Sequence, residues 1–202
     1  ANRLGANSLL SACVDGWFTL PYTVPNYLAP LLGTEKLSLD DEAVQEALSR
    51  TQGRINALMS VKGEHGPEYF HRKLGKILYR GVGVFRTADA MAQAIEEIRE
   101  LRKEFWSGLN IAGTDEDLNQ VLERAGRVAD YMELAELMAI DALDRDESCG
   151  AHVRDDHQTE EGEADRDDAH WCFVSAWEST GDERGGARTY TRHAEPLTFD
   201  KV

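Results

Sequence analysis

The residues most suited to chemistry stand at the start of the chain, in the run Ala1-Asn2-Arg3-Leu4-Gly5-Ala6-Asn7-Ser8-Leu9-Leu10. Arg3 is a lone cation in an otherwise uncharged stretch, two residues before a glycine and five before an expected helix start at Ser8. A guanidinium presents a flat fork matched to a carboxylate, and a helix N-terminus adds free N–H groups and positive dipole. A carboxylate held by Arg3 would lie near the N–H groups of Ser8 and Leu9, which oppose developing negative charge. The alternative is an arginine that only ties down a loop.

Other constellations are weaker. Gly81-Val82-Gly83-Val84-Phe85-Arg86 has part of a dinucleotide fingerprint, but it lacks the third glycine and follows a helical pattern, so a helix C-cap and turn is expected. Cys149, His152, His157, His170 and Cys172 lie close in sequence at spacings that match no zinc pattern, and hydrogen-bonding and packing roles are expected for them. Ser, His and Asp all occur, but no elbow singles out a nucleophile. Asp155-Asp156 and Asp167-Asp168 read as charge partners for Arg145, Arg154 and Arg166.

The elements that position these groups follow from composition and periodicity. The chain has 202 residues, 42% of them hydrophobic, with a net charge of −15. Such a balance supports a globular core and disfavours nucleic acid and anionic membrane surfaces as direct partners, while leaving a basic protein partner open. Three scattered cysteines point to a reducing compartment without a disulfide framework. No basic segment precedes an apolar run, so no signal peptide is expected. The apolar stretch from Leu9 to Leu32 is broken by Asp15, Gly16, Pro21, Pro25 and Pro30, which reads as a buried helix and connector rather than a membrane span.

A helix is expected from Ser8 to Leu20, capped by Asn7 or Ser8, with the prolines forcing kinks or an extended connector through Gly33. Residues 1–33 carry only Arg3 and Asp15 as charges, so this helix has no polar face and needs protein around it. Either the chain supplies that cover or a larger domain does, and the absence of an initiator Met favours the second. Amphipathic helices then fit Leu39 to Val61 with Ser38 as cap, Pro67 to Tyr79, Thr87 to Trp106, and a last one to Leu143 opened by a Thr114/Asp117 capping box. Met and aromatic residues on these helices are expected in the core of a bundle. Residues 144–168 hold 11 Asp or Glu against three Arg and read as a solvated acidic loop. Beyond it, Trp171 to Trp177, Arg188 to His193 and Leu197 to Phe199 are strand-like, with a turn over Gly181 to Gly186 and an interruption at Pro196.

Taken together, several runs resemble one family. The opening run, Phe105-Trp106, Leu118-Asn119-Gln120, Ala125-Gly126-Arg127-Val128-Ala129-Asp130, Arg145-Asp146-Glu147-Ser148-Cys149-Gly150-Ala151-His152, Arg166-Asp167-Asp168 and Glu195-Pro196-Leu197 look like the C-terminal half of the succinate dehydrogenase/fumarate reductase flavoproteins. Trp17-Phe18-Thr19-Leu20-Pro21-Tyr22 is similar to bacterial members.

The resemblance implies a mainly α fold. Residues 1–33 would close the FAD-binding domain, 34–143 would form the helical bundle, and 144–202 would form a C-terminal α+β segment with short antiparallel strands. It also implies that Arg3 binds a carboxylate of succinate or fumarate and that Ser8 and Leu9 border the flavin pyrimidine edge. No catalytic residue and no metal ligand is implied within the chain. Cys149 stands where the family more often has Arg, and its loop is expected to pack on the flavin domain. The implied activity is succinate oxidation to fumarate by hydride transfer to FAD, with electrons passing to an iron–sulfur subunit and quinone.

The FAD loop and capping domain would lie upstream of Ala1, leaving these residues inactive alone and unable to hold FAD. A membrane-anchor cytochrome b subunit is an indirect partner, at the cytoplasmic face of a bacterial inner membrane and without direct insertion. The alternatives are a non-catalytic helical assembly module and an L-aspartate oxidase-like flavoenzyme fragment.

Overall fold

The computed structural model describes residues 7–116, 118–181 and 188–198. The chain separates into two compact units, Ala1–Gly53 and Arg54–Val202.

In the first unit, α1 (Asn7–Val14) runs into a π-helical turn (Asp15–Thr19), then α2 (Leu20–Leu28) and a 3-10 turn (Ala29–Leu31). The prolines therefore do not give an extended connector: extended backbone starts only at Leu32. The physical reason is placement. Pro21 falls in the first turn of α2, where its missing N–H is not needed, and the π turn ahead of it closes through the Leu20 N–H on the Asp15 carbonyl. Within this unit the apolar side chains of the segment are not covered. Leu9 is 72% exposed and Trp17 78%, and Phe18, Tyr22 and Tyr27 are exposed as well.

Helix α3 (Glu42–Ser60) begins later than the sequence suggests, and its cap is Asp41 rather than Ser38. The Asp41 carbonyl accepts from Val44 and Gln45, while its carboxylate accepts the Ser38 N–H at 2.8 Å.

The second unit is built on α4 (Pro67–Gly81), α5 (Ala88–Gly108) and α6 (Gln120–Asp144). Their apolar stripes meet in one core: Phe70, Leu74 and Ile77 from α4; Met91, Ile98 and Phe105 from α5; Val128, Met132 and Ala135 from α6. Phe70 and Phe105 pack edge to face at 5.2 Å. Not every large side chain obeys the stripe, since Tyr79, Tyr131 and Met138 are exposed.

Thr87 caps α5, its side chain accepting the Ala90 N–H. Gly81-Val82-Gly83 ends α4, with the Val82 N–H on the Leu78 carbonyl. A Cβ on Gly81 would meet that of Ala94 at 2.5 Å, so the glycine lets α4 and α5 approach there. The cap of α6 corrects the capping-box expectation. It is Asn119, whose Oδ1 accepts from Val121 and Leu122, while its Nδ2 donates to the Ala112 and Thr114 carbonyls. Asn119 stands immediately before the helix, where its amide can accept for the helix and donate to the loop at once, whereas Thr114 lies six residues ahead of the first helical residue. Asp117 lies outside the described residues.

The C-terminal segment adds β3 (Phe173–Thr180) and β4 (Thr189–Pro196), antiparallel from Phe173↔Pro196 to Thr180↔Thr189. Trp171 belongs to a short helix α7 (Asp168–Trp171), not to the strand. Pro196 does not interrupt β4, because it is the terminal residue of the ladder, where a missing N–H costs little. Of the expected turn, 182–187 lie outside the described residues, as does Phe199.

One buried polar group joins these layers. The Glu136 carboxylate on α6 accepts from Arg102, from Arg99 Nε at 2.8 Å and from the Tyr190 hydroxyl at 3.1 Å. Burial pushes its pKa up, but the two guanidiniums outweigh this and hold it below the usual value. The same burial, beside the Glu136 charge, pushes the Tyr190 phenol up to about 12.

Replacing Glu136 by Ala leaves the buried Arg102 uncompensated. It is expected to cost about 3–5 kcal/mol in urea unfolding. A lowered carboxylate pKa contributes stability above the unfolded value and loses it as pH falls through the folded one. Glu136→Gln should therefore flatten the acid limb of the stability profile. An Ala variant as stable as the parent would contradict this role.

Candidate functional site

Arg3 lies outside the described residues. Ser8 and Leu9 are the second and third residues of α1, both exposed. The first-turn N–H groups of a helix have no intrahelical acceptor and sit at its positive end. Ser8 and Leu9 thus present adjacent donors that an anionic or electron-rich ring edge can use. They fit one edge of a flavin, and they supply no other wall.

A second cluster was not legible as a site. The segment 145–157 is not a solvated loop: Glu147, Ser148 and Arg154 are buried. It contributes β2 (Val153–Arg154), which pairs in parallel with β1 (Phe85–Arg86). The Asp155 N–H donates to the Arg86 carbonyl at 2.9 Å. Arg154 forks onto Asp156 at 2.8 and 2.7 Å, holding that carboxyl well down, at about 2. Arg145 pairs with Glu147 at 2.6 Å, and the other Glu147 oxygen accepts the Asp167 N–H at 2.9 Å. Arg166 pairs with Asp168 at 2.6 Å, as the charge pattern suggested.

His152 sits at the centre of this cluster. Its Nδ1 lies 2.6 Å from Arg86 Nη1, and its Nε2 lies 3.0 Å from the Arg145 carbonyl. A guanidinium only donates and a carbonyl only accepts, so Nδ1 must be bare and Nε2 must carry the proton. The imidazole is held neutral. Burial lowers its pKa first, and the Arg86, Arg154 and Arg145 charges add to that, against the hydrogen bond to the Arg145 carbonyl. Arg86 is itself buried, donates from Nε to the Gly83 carbonyl at 3.1 Å and is lowered by desolvation. The cluster fastens the loop; it contains no activated nucleophile. Cys149 is a free, half-buried thiol paired through its backbone with His152. Among the described residues no group of three or more His, Cys, Asp or Glu is placed to hold a metal ion.

The alternating Arg and carboxylate residues of 145–156 were the available sign that this segment is internally paired. A histidine with a depressed pKa stabilises the fold while neutral and loses that contribution as pH falls below its ordinary value of about 6.5. The protection factors of residues 149–157 in hydrogen exchange, taken relative to the intrinsic rate at each pH, are therefore expected to fall as pH is lowered from about 7.5 to about 5.5. His152→Gln, which can accept and donate without titrating, should remove that step. An unchanged step in the variant would assign it elsewhere.

Residues 71–202 match the family described as fumarate reductase flavoprotein C-terminal. The chain is 28% identical over 170 residues to the succinate dehydrogenase flavoprotein subunit of Bacillus subtilis, covering 84% of this chain and 28% of that protein. It is 29% identical over 175 residues to the fumarate reductase flavoprotein subunit of Escherichia coli, covering 85% and 27%. The fold is shared with a variant of Escherichia coli quinol fumarate reductase, at TM-score 0.67 and 24% identity over 84% of this chain and 27% of that one. It is also shared with the Mycobacterium smegmatis Sdh1 complex, at TM-score 0.68 and 20% identity over 88% and 27%. The chain spans about a quarter of the length of the curated relatives it matches. With its family model covering well over half of its residues, the chain belongs to the succinate dehydrogenase/fumarate reductase flavoprotein family and matches the C-terminal region of its members.

Proposed function

We propose that these residues form the C-terminal part of a succinate dehydrogenase flavoprotein subunit, which oxidises succinate to fumarate and passes two electrons to an iron–sulfur subunit and on to quinone. The family match over residues 71–202 carries the reading. On it, residues 1–33 close the FAD-binding domain, 34–143 form the helical domain, and 144–202 the C-terminal segment. When bound, FAD supplies the hydride acceptor. Arg3 holds a substrate carboxylate through its fork, and the first-turn N–H groups of Ser8 and Leu9, with the α1 dipole, oppose negative charge at the ring edge they face. The apolar surface of residues 9–32 is covered by the flavin-binding portion of the same subunit.

No described helix is long and apolar enough to cross a membrane. This suits a peripheral subunit reaching a membrane-anchor cytochrome b only through its iron–sulfur partner, on the cytoplasmic face of a bacterial inner membrane.

In the full-length subunit, Arg3→Ala is expected to raise KM for succinate about 30–100-fold while the flavin absorbance per subunit stays constant. Unchanged kcat/KM would contradict the clamp. The 202 residues alone are expected to purify colourless and inactive, and a stoichiometric flavin spectrum would overturn that.

A further inference from the structure

Between Arg3 and Glu35 the chain has one charged side chain, Asp15. It stands in helical backbone: α1 ends at Val14, the π-helical turn begins at Asp15 and α2 follows at Leu20. Aspartate is among the poorer residues for a helix interior, because its short carboxylate competes for nearby backbone groups. It also interrupts a surface on which Val14, Trp17 and Phe18 are exposed apolar side chains. Neither helix propensity nor apolar burial accounts for a carboxylate here.

Its contacts do not account for it either. Among the described residues, the Ser11 hydroxyl donates to Asp15 Oδ2 at 3.5 Å, and no cation lies within ion-pair distance. Capping is excluded too: Val14 ahead of it is right-handed helical, and the Leu20 N–H closes on the Asp15 carbonyl. Asp15 therefore brings a charge into the middle of a continuous helical stretch, and no charged group among the described residues offsets it.

The position is close to the donors at the helix start. Ser8 and Asp15 are seven residues apart, two turns and about 10 Å along the axis. Hydride transfer brings two electrons and one proton, so a ring that receives it gains one negative charge. The Ser8 and Leu9 N–H groups favour that charge, and a carboxylate about 10 Å behind them repels it. With solvent excluded, an effective dielectric constant of about 20 makes this repulsion worth about a factor of ten in an equilibrium constant. In open water at physiological salt it would be nearly lost.

We propose that Asp15 sets the flavin potential: its charge holds the ring harder to reduce than the α1 terminus alone would leave it. The proposal rests on the flavin reading above, which puts Ser8 and Leu9 at the ring edge and covers residues 9–32 with protein. Asp15 touches neither ring nor substrate in it and acts through its field. Two opposed effects on one helix, the terminal donors and the charge two turns on, then fix how evenly the dicarboxylate chemistry runs in its two directions. A neutral residue at 15 would favour electron uptake from succinate, and the carboxylate favours electron return to fumarate.

The test is the flavin midpoint potential of the full-length subunit, measured by spectroelectrochemistry at neutral pH on the absorbance of bound FAD. Asp15→Asn and Asp15→Ser remove the charge, and Asp15→Glu keeps it. Both neutral variants are expected to raise the two-electron equilibrium constant for reduction about tenfold, which is about 30 mV, while Asp15→Glu stays with the parent. An unchanged potential in the neutral variants, with FAD bound, would overturn the role of Asp15 and leave the flavin reading intact. So would Asp15→Glu shifting as far as Asp15→Asn, or both neutral variants losing FAD, since either makes the residue structural. A parent subunit that carries no FAD would instead overturn the flavin reading, and the proposal with it.

Discussion

A carboxylate cannot stay ionised inside a helical core unless charged donors surround it, and the second unit is arranged around meeting that demand for Glu136. Arg102 and Arg99 come from α5 and Tyr190 from β4, while Glu136 itself stands on α6. Three elements distant in sequence are thereby brought to one point with little tolerance for rotation. Four apolar residues of equal volume would pack as well, but dispersion has no direction and would not select this register. The pair's contribution is positional as much as energetic.

Helix α6 is consequently the spine of the unit. One side carries the core residues Val128, Met132 and Ala135. Another receives the hairpin, through Trp177 on Asp141, Arg192 on Asp144 and Arg188 on Glu133. Its C-terminal end continues into Arg145, whose carbonyl accepts from His152 and whose guanidinium reaches the Trp171 and Phe173 carbonyls. The loop of residues 145–157 is thus held at one end by the helix it leaves and at the other by β1. A neutral histidine between arginines is the joint, because only an uncharged ring can both accept from Arg86 and donate to a carbonyl.

The first unit follows a different physical logic. Its side chains from Leu9 to Leu32 are apolar on all sides and remain exposed in the described chain. A surface of this size and composition marks an interaction site. The family contains subunits about three times as long, which gives such a surface a natural occupant in the reading proposed for the whole protein.

How much was legible in the sequence depended on the range of the forces involved. The α5 stripe Met91, Ile95, Ile98, Leu101 and Phe105 was readable because helical periodicity is a local property, and all five residues are buried. The mainly α architecture and the terminal hairpin were readable for the same reason. The α6 cap was not: Thr114 and Asn119 are both competent, and the choice fell to Asn119 because only it also reaches the Ala112 and Thr114 carbonyls. The acidic run after Asp144 looked solvated because counting charges does not reveal pairing, which depends on geometry across distant residues. By itself the sequence determined the three long helices of the second unit, the terminal hairpin and the family, since these rest on neighbours along the chain. Only the tertiary structure decided which charges are buried together and that Arg86 is met by a neutral His152 and the Gly83 carbonyl, because desolvation and pairing exist only once distant residues meet.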